Sequence, residues 1–147
     1  MQKITPFLWF DKEAEEAANF YVSIFNNSKI THVTPGPGGI AMWVSFELDG
    51  QEFMALNGGP QYKFTEAVSF FVNCENQEEV DYYWEKLSAH PESEQCGWLK
   101  DKFGLSWQII PKQLSELMQK DKSGKVMKAM LQMKKIIVAD LQKAYSS

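Results

Sequence analysis

The sequence predicts an α+β fold of two β-α-β-β-β units followed by C-terminal helices. Two short apolar segments, "TPFLWFD" and "AVSFFVNC", each lead into a run with helical spacing, and the order of elements then repeats. Each half also contains a hairpin closed by glycine, at Asp49-Gly50 and at "DKFG", residues 101–104. Beyond Pro111 the apolar residues fall at helical spacing.

The first segment, "ITPFLWFD", alternates poorly but is β-prone and bounded by Asp11. Asp11 suits a helix N-cap, and Glu13, Glu15 and Glu16 suit the positive end of the helix dipole. Ala14, Ala17, Ala18, Tyr21, Ile24 and Phe25 recur on one face, and Asn26-Asn27 end the helix. Strands are predicted over 29–34, 40–48 and 51–57, the first two separated by "PGPGG". After "NGGP" at 57–60 the order restarts with "AVSFFVNC" and the helix "ENQEEVDYYWEKL", which buries Val80, Tyr83, Trp84 and Leu87. A loop and the hairpin "QCGWLKDKFGLSWQIIP" follow. "PFLWFDKEAEEAANFY" lies over "SFFVNCENQEEVDYYW" at an offset of 63, which puts Pro6 over Ser69; Gly50 corresponds to Gly104. The units run over about 1–58 and 66–111 of a domain at 1–111, and 112–147 is a helical extension of that same domain. Such a unit covers one sheet face with its helix. A second copy would cover the other, enclosing a cleft suited to a small ligand.

A chain of 147 residues suits one compact domain, and 44% hydrophobic with 23% charged residues is ordinary for a globular protein. No apolar run reaches the roughly 20 residues of a membrane span, so no membrane partner is expected. The N-terminus has no basic-then-apolar leader, and Cys74 and Cys96 are too few for a disulfide scaffold; reduced thiols in a cytoplasm are expected. All 15 basic residues are lysine. Arginine is the usual fork for phosphates and base edges, so no nucleic-acid partner is expected. His32 and His90 have no companion at metal-ligand spacing. Residues 1–111 hold 7 Lys against 16 acids, net −9, and 112–147 hold 8 Lys against 3 acids, net +5. The basic tail is either a solvated helix face or a surface that docks on an acidic body, its own or a partner's.

Gln108 is an amide among Trp107, Ile109 and Ile110 in an apolar strand. Cys96 has no histidine assignable as its base and reads as a structural thiol. Glu47 and Glu52 flank a turn and read as rim charges. "PGPGG" is a hairpin loop rather than a phosphate cradle, and no glycine-rich strand-to-helix loop marks a nucleotide-type methyl donor; no cofactor is expected.

Taken together, "TPFLWFD" with its "ANFY" helix, "LNGGP", "AVSFFVNC", "QEEVDYYWEKL", "CGWLKDKFGLSWQIIP" and the tail "KVMKAMLQMKKIIVADLQKAY" resemble the glyoxalase/vicinal-oxygen-chelate superfamily. They are closest to its PhnB-like, demethylubiquinone methyltransferase-like branch. The resemblance implies the paired β-α-β-β-β fold of glyoxalases, bleomycin-resistance proteins and dihydroxybiphenyl dioxygenases. In relatives with known chemistry, four side chains hold a divalent metal. The aligned positions here are Pro6, Met54, Ser69 and Gln108, of which only the glutamine is a fair ligand, so no metal is expected.

Strand alternation from Pro6 puts Ile4 and Leu8 on the cleft face and turns Phe7 and Trp9 toward the helices. Phe71 and Asn73 would accompany Ser69, Leu56 and Glu52 would accompany Met54, and Ser106 and Ile110 would accompany Gln108. The expected ligand-binding residues are therefore Pro6, Leu8, Met54, Ser69, Phe71 and Gln108, around a small apolar or aromatic molecule. The alternatives are a binding protein and an enzyme of the same family, metal-independent or methyl-transferring. In the tail, a long helix from Gly124 to about Tyr145 carries Val126, Met127, Met130, Leu131, Met133, Ile137, Val138 and Leu141, a stripe too broad for a free helix. It packs either on its own domain or on a second subunit, and a homodimer is expected.

Overall fold

The computed structural model describes residues 2–147, and the chain divides into two compact units, one ending at Phe64 and one over Thr65–Ser147. The first unit runs β1 (Phe7–Phe10), α1 (Ala14–Ile24), β2 (Lys29–Pro35), β3 (Ala41–Leu48) and β4 (Gln51–Asn57). Its sheet order is β1-β4-β3-β2, with β1 parallel to β4 and the other pairs antiparallel. Asp49 and Gly50 both have positive φ, 50° and 79°, as a tight two-residue hairpin turn requires.

Helix α1 buries Ala14, Ala17, Ala18, Tyr21 and Ile24, the expected face, against β3 and its neighbours. Tyr21 stacks on Phe46 at 6.4 Å, and Phe46 on Phe53 at 5.3 Å. The helix start differs from expectation, because Asp11 does not cap it. Asn57 does so from β4: its Oδ1 accepts the Ala14 N–H at 2.8 Å, while its Nδ2 donates to the Ala41 carbonyl at 2.8 Å. The "NGGP" break is thus a tertiary staple. The Trp9 indole donates to the Gly59 carbonyl at 2.9 Å and lies so close to Gly58 that a Cβ there would come within 2.4 Å of the ring. Asn57→Ala removes both bonds and is expected to destabilise the protein by about 2 kcal/mol, one cap plus one backbone partner. A urea midpoint unchanged from wild type would contradict this.

The second unit runs β5 (Ser69–Cys74), α2 (Gln77–Leu87), β6 (Trp98–Lys100) and β7 (Ser106–Pro111), then α3 (Lys112–Lys120), α4 (Lys125–Leu131) and α5 (Val138–Ser146). Its sheet order is β5-β7-β6, with β5 parallel to β7. The paired architecture holds, but this unit has three strands among the described residues. Where the first unit has β2, the second has a 3-10 turn at Pro91–Ser93 and a single bridge between Gln95 and Trp98. The polar "SAHPESE" run offers no alternating apolar residues to pair a strand, and Pro91 lacks an N–H. Helix α2 begins at Asn76, whose side chain accepts the Glu79 N–H at 3.0 Å, and buries Val80 and Leu87, with Tyr83 and Trp84 half-buried.

The helix expected from Gly124 to about Tyr145 is two helices. Residues 132–137 leave the helical path because tertiary partners take their backbone groups. The carbonyls of Met133 and Lys134 accept the N–H groups of Cys96 and Gly97, both at 2.8 Å. The Gln77 side chain bridges the break, donating to the Ile136 carbonyl at 3.0 Å and accepting the Val138 N–H at 2.7 Å. Ile136 is fully buried there, in a core with Ile110, Leu114, Val126 and Leu141. The tail therefore packs on its own unit. Lys112 pairs with Glu75, and Lys135 with Asp81, each at 2.8 Å, so tail lysines meet the acidic helix region of the same unit. No described helix is long and apolar enough to cross a membrane.

Candidate functional site

Pairing fixes which side chains share the open face of the second unit's sheet. Strand register places Asn73 opposite Ile110, Phe71 opposite Gln108 and Trp98, and Ser69 opposite Ser106 and Lys100. Each successive row is two residues, about 7 Å, further along the strands. Polarity changes along the rows, from Ile110, through Phe71, Gln108 and Trp98, to Ser69, Ser106 and Lys100. The opposite face carries Trp107 and Ile109, both buried, as alternation requires.

Two turns hold this face in shape. Cys96 and Gly97 have positive φ, 52° and 88°, and form a turn in which Gln95 and Trp98 exchange backbone bonds at 3.1 and 2.8 Å. A Cβ on Gly97 would lie 2.6 Å from the Ile110 side chain. At the other end, the Asp101 carboxylate is fully buried and closes the β6–β7 hairpin. Its Oδ1 accepts the N–H groups of Phe103 and Leu105, at 2.8 and 3.1 Å, and its Oδ2 accepts the Trp107 indole N–H at 2.9 Å. The "KDKFGLSW" wording therefore encodes a hairpin lock.

Between the open face and helices α3 and α4 runs a groove of about 810 Å³. Phe71, Trp98, Gln108 and Ile110 form its floor. Leu114 and Met118 of α3, whose i, i+4 spacing puts them on one helix face, form its far wall with Met130 and Leu131 of α4. Phe71 is 50% exposed here, an unusual state for a phenylalanine on a strand. The Gln108 amide donates to Ser69 Oγ at 3.0 Å. Glu66 at the groove's edge pairs with Lys100, whose ammonium holds the Glu66 carboxyl below the usual carboxylate range. Cys96 lines the groove, half-buried, and its sulfur meets Gln95 Nε2 at 3.2 Å. Cys74 is buried away from solvent, and burial, then the nearby Glu79 charge, pushes its thiol up to about 12. It is a structural thiol.

Of the six expected ligand residues, Ser69, Phe71 and Gln108 lie together on this face. Pro6 and Met54 lie in the first unit, where the Met54 N–H donates to the Pro6 carbonyl at 2.9 Å. Met54 lines a smaller hollow of about 360 Å³ with Thr5, Ser45, Glu47 and Glu52. The orientation expected for Leu8 is corrected. Leu8 pairs with Ala55 and both are buried, whereas Phe7 pairs with Met54 and is 54% exposed. The repeat slips by one residue between strand and helix: Phe7 corresponds to Phe71, a step of 64, and Ala14 to Gln77, a step of 63. By the strand register the first-unit counterpart of Ser69 is Thr5 rather than Pro6. With either residue the donor set does not fit a divalent metal: a thioether, an aliphatic hydroxyl and one amide are weak ligands for it. Among the described residues, no group of three or more His, Cys, Asp or Glu side chains is placed to hold an ion.

The sequence reading missed Trp98, Met118 and Met130 as groove residues. The helical spacing of apolar residues beyond Pro111 signals an apolar face, but not what that face covers.

The family model for 3-demethylubiquinone-9 3-methyltransferase matches residues 2–110. A PhnB protein from Bacillus cereus is 38% identical, with a TM-score of 0.66 over 75% of this chain and 99% of its own. Proteins from Pseudomonas aeruginosa and Arabidopsis thaliana share the fold at 16% identity, with TM-scores of 0.59 and 0.51 over 76% and 74% of this chain and 98% and 97% of theirs. No curated protein matches the chain.

Proposed function

We propose that this chain, which belongs to the PhnB-like family of the vicinal-oxygen-chelate superfamily, binds a small apolar or aromatic molecule in the groove of its second unit, without a metal ion. The observation that supports this is a groove of about 810 Å³ floored by Phe71, Trp98 and Ile110 and walled by methionines and leucines, with the Gln108 amide as a polar point in the floor. Pockets of this size with few polar groups suit drug-sized ligands held by shape and one or two hydrogen bonds. Methionine at the wall allows the site to adapt to an irregular outline. The test uses N-phenyl-1-naphthylamine, a neutral dye that fluoresces in apolar sites. Wild type is expected to give a saturable rise that EDTA leaves unchanged, and Met118→Glu is expected to abolish it by placing a charge in the wall. Wild-type protein that gives no saturable signal would overturn the reading.

The partner that fits the tail is a second copy of this chain. Met127 and Tyr145 remain 48% and 42% exposed on helices that bury Val126 and Leu141, and Lys125, Lys128 and Lys143 are near them in sequence. A two-fold contact at these residues would bury them, with the acidic surface assisting orientation. Sedimentation velocity is expected to give a dimer for wild type and a monomer for the double variant Met127→Glu/Tyr145→Glu. A dimer that survives both charges, or a monomeric wild type, contradicts this.

A further inference from the structure

Ser106 is 1% exposed, and its hydroxyl oxygen has no hydrogen-bond partner among the described residues. A buried hydroxyl left in that state costs free energy that folding alone does not recover. Ser106 lies on the floor of a recess of about 240 Å³, whose walls include Glu66, Ser93 and Trp98. The same three residues line the larger groove, so the recess adjoins it. Ser106 stands one row beyond Gln108 on the same strand face, about 7 Å along β7. A molecule with its rings against Phe71 and Trp98 is therefore within one short substituent of the unpaired oxygen.

The charges around the recess select the substituent. Lys100 is committed to Glu66, and Glu92 adds a second carboxylate to the wall. An anionic head would meet two acids, with no unpaired cation among the described residues that line the recess. An ammonium would have to shed its water beside Lys100, with Glu66 already neutralised by that lysine and the Glu92 carboxylate 74% exposed, beside His90 and screened by solvent. An uncharged hydroxyl loses little on entry, and it matches a serine that both donates and accepts. Resting on the groove reading above, the geometry points to Ser106 as the anchor for an uncharged hydroxyl on an otherwise apolar, aromatic ligand.

The test is displacement of N-phenyl-1-naphthylamine from the full chain by 2-naphthylmethanol and by 2-ethylnaphthalene, which differ by a hydroxyl in place of a methyl group. Wild type is expected to bind the alcohol about tenfold more tightly, the increment available from pairing one buried hydroxyl. Ser106→Ala is expected to erase this preference by weakening the alcohol alone, with 2-ethylnaphthalene unchanged. The variant loses no partner, so its thermal midpoint is expected at or above that of wild type. A wild type that binds both compounds equally, or a preference that survives in Ser106→Ala, overturns the anchor while leaving the groove intact. Tighter displacement by 2-naphthoate than by the alcohol also overturns it. Binding of neither compound, with the dye itself failing to bind, removes the groove and the anchor together.

Discussion

Asp101→Ala is expected to destabilise the second unit by about 3 to 4 kcal/mol, because it strands two buried donors and opens a hairpin. The carboxylate is fully buried and accepts the amides of Phe103 and Leu105 and the indole N–H of Trp107. Leu105 and Trp107 are themselves buried, so their N–H groups cannot turn to water after the substitution. Asp101→Asn keeps one oxygen acceptor and is expected to lose about half as much, since its amide nitrogen cannot serve the remaining donor. Urea unfolding followed by tryptophan fluorescence measures both. An alanine variant with the wild-type midpoint would show that the hairpin is held elsewhere.

Ending the chain at Gln119 is expected to have the largest effect on folding. The cut removes Val126, Ile136 and Leu141, all fully buried, from the core they share with Ile110 and Leu114. It also removes the Met133 and Lys134 carbonyls that hold the Cys96-Gly97 turn, and the 132–137 segment bridged to α2 by Gln77. The truncated chain is expected to aggregate, or to lose cooperative melting, by light scattering and circular dichroism. Ile136→Ala gives the graded version, with a cost of about 3 kcal/mol for an aliphatic side chain deleted from a closed core. A soluble truncation that melts as the full chain does would mean that the tail only covers a unit already complete.

What the sequence made legible follows from how strongly each element is signalled locally. The strands at 29–35, 41–48 and 51–57 and both first helices lie within a residue or two of expectation, because turn residues and periodicity agree there. The facing of β1 was misread because Phe7, Leu8, Trp9 and Phe10 are all apolar, so no period-2 contrast marks the buried side. The break at 132–137 was invisible for a different reason. Neither glycine nor proline occurs between Lys125 and Tyr145, and the partners that interrupt the helix are Gln77, Cys96 and Gly97, at least 35 residues away in sequence. Asn57 shares that character: it looks like a turn residue, and its hydrogen-bond partners Ala14 and Ala41 lie 43 and 16 residues away. That Ser69, Phe71 and Gln108 share one sheet face was legible, since it follows from pairing β5 with β7. The opposing wall required knowing where α3 and α4 pack.

The measurement that bears most directly on the groove is an amide and indole chemical-shift map of isotopically labelled full-length protein titrated with N-phenyl-1-naphthylamine. Saturable shifts are expected at Phe71, at the Trp98 indole, at Gln108 and at Met118, while Met54 and its neighbours in β4 stay in place. Shifts centred on Met54, or none that saturate, would contradict a binding site in the second unit.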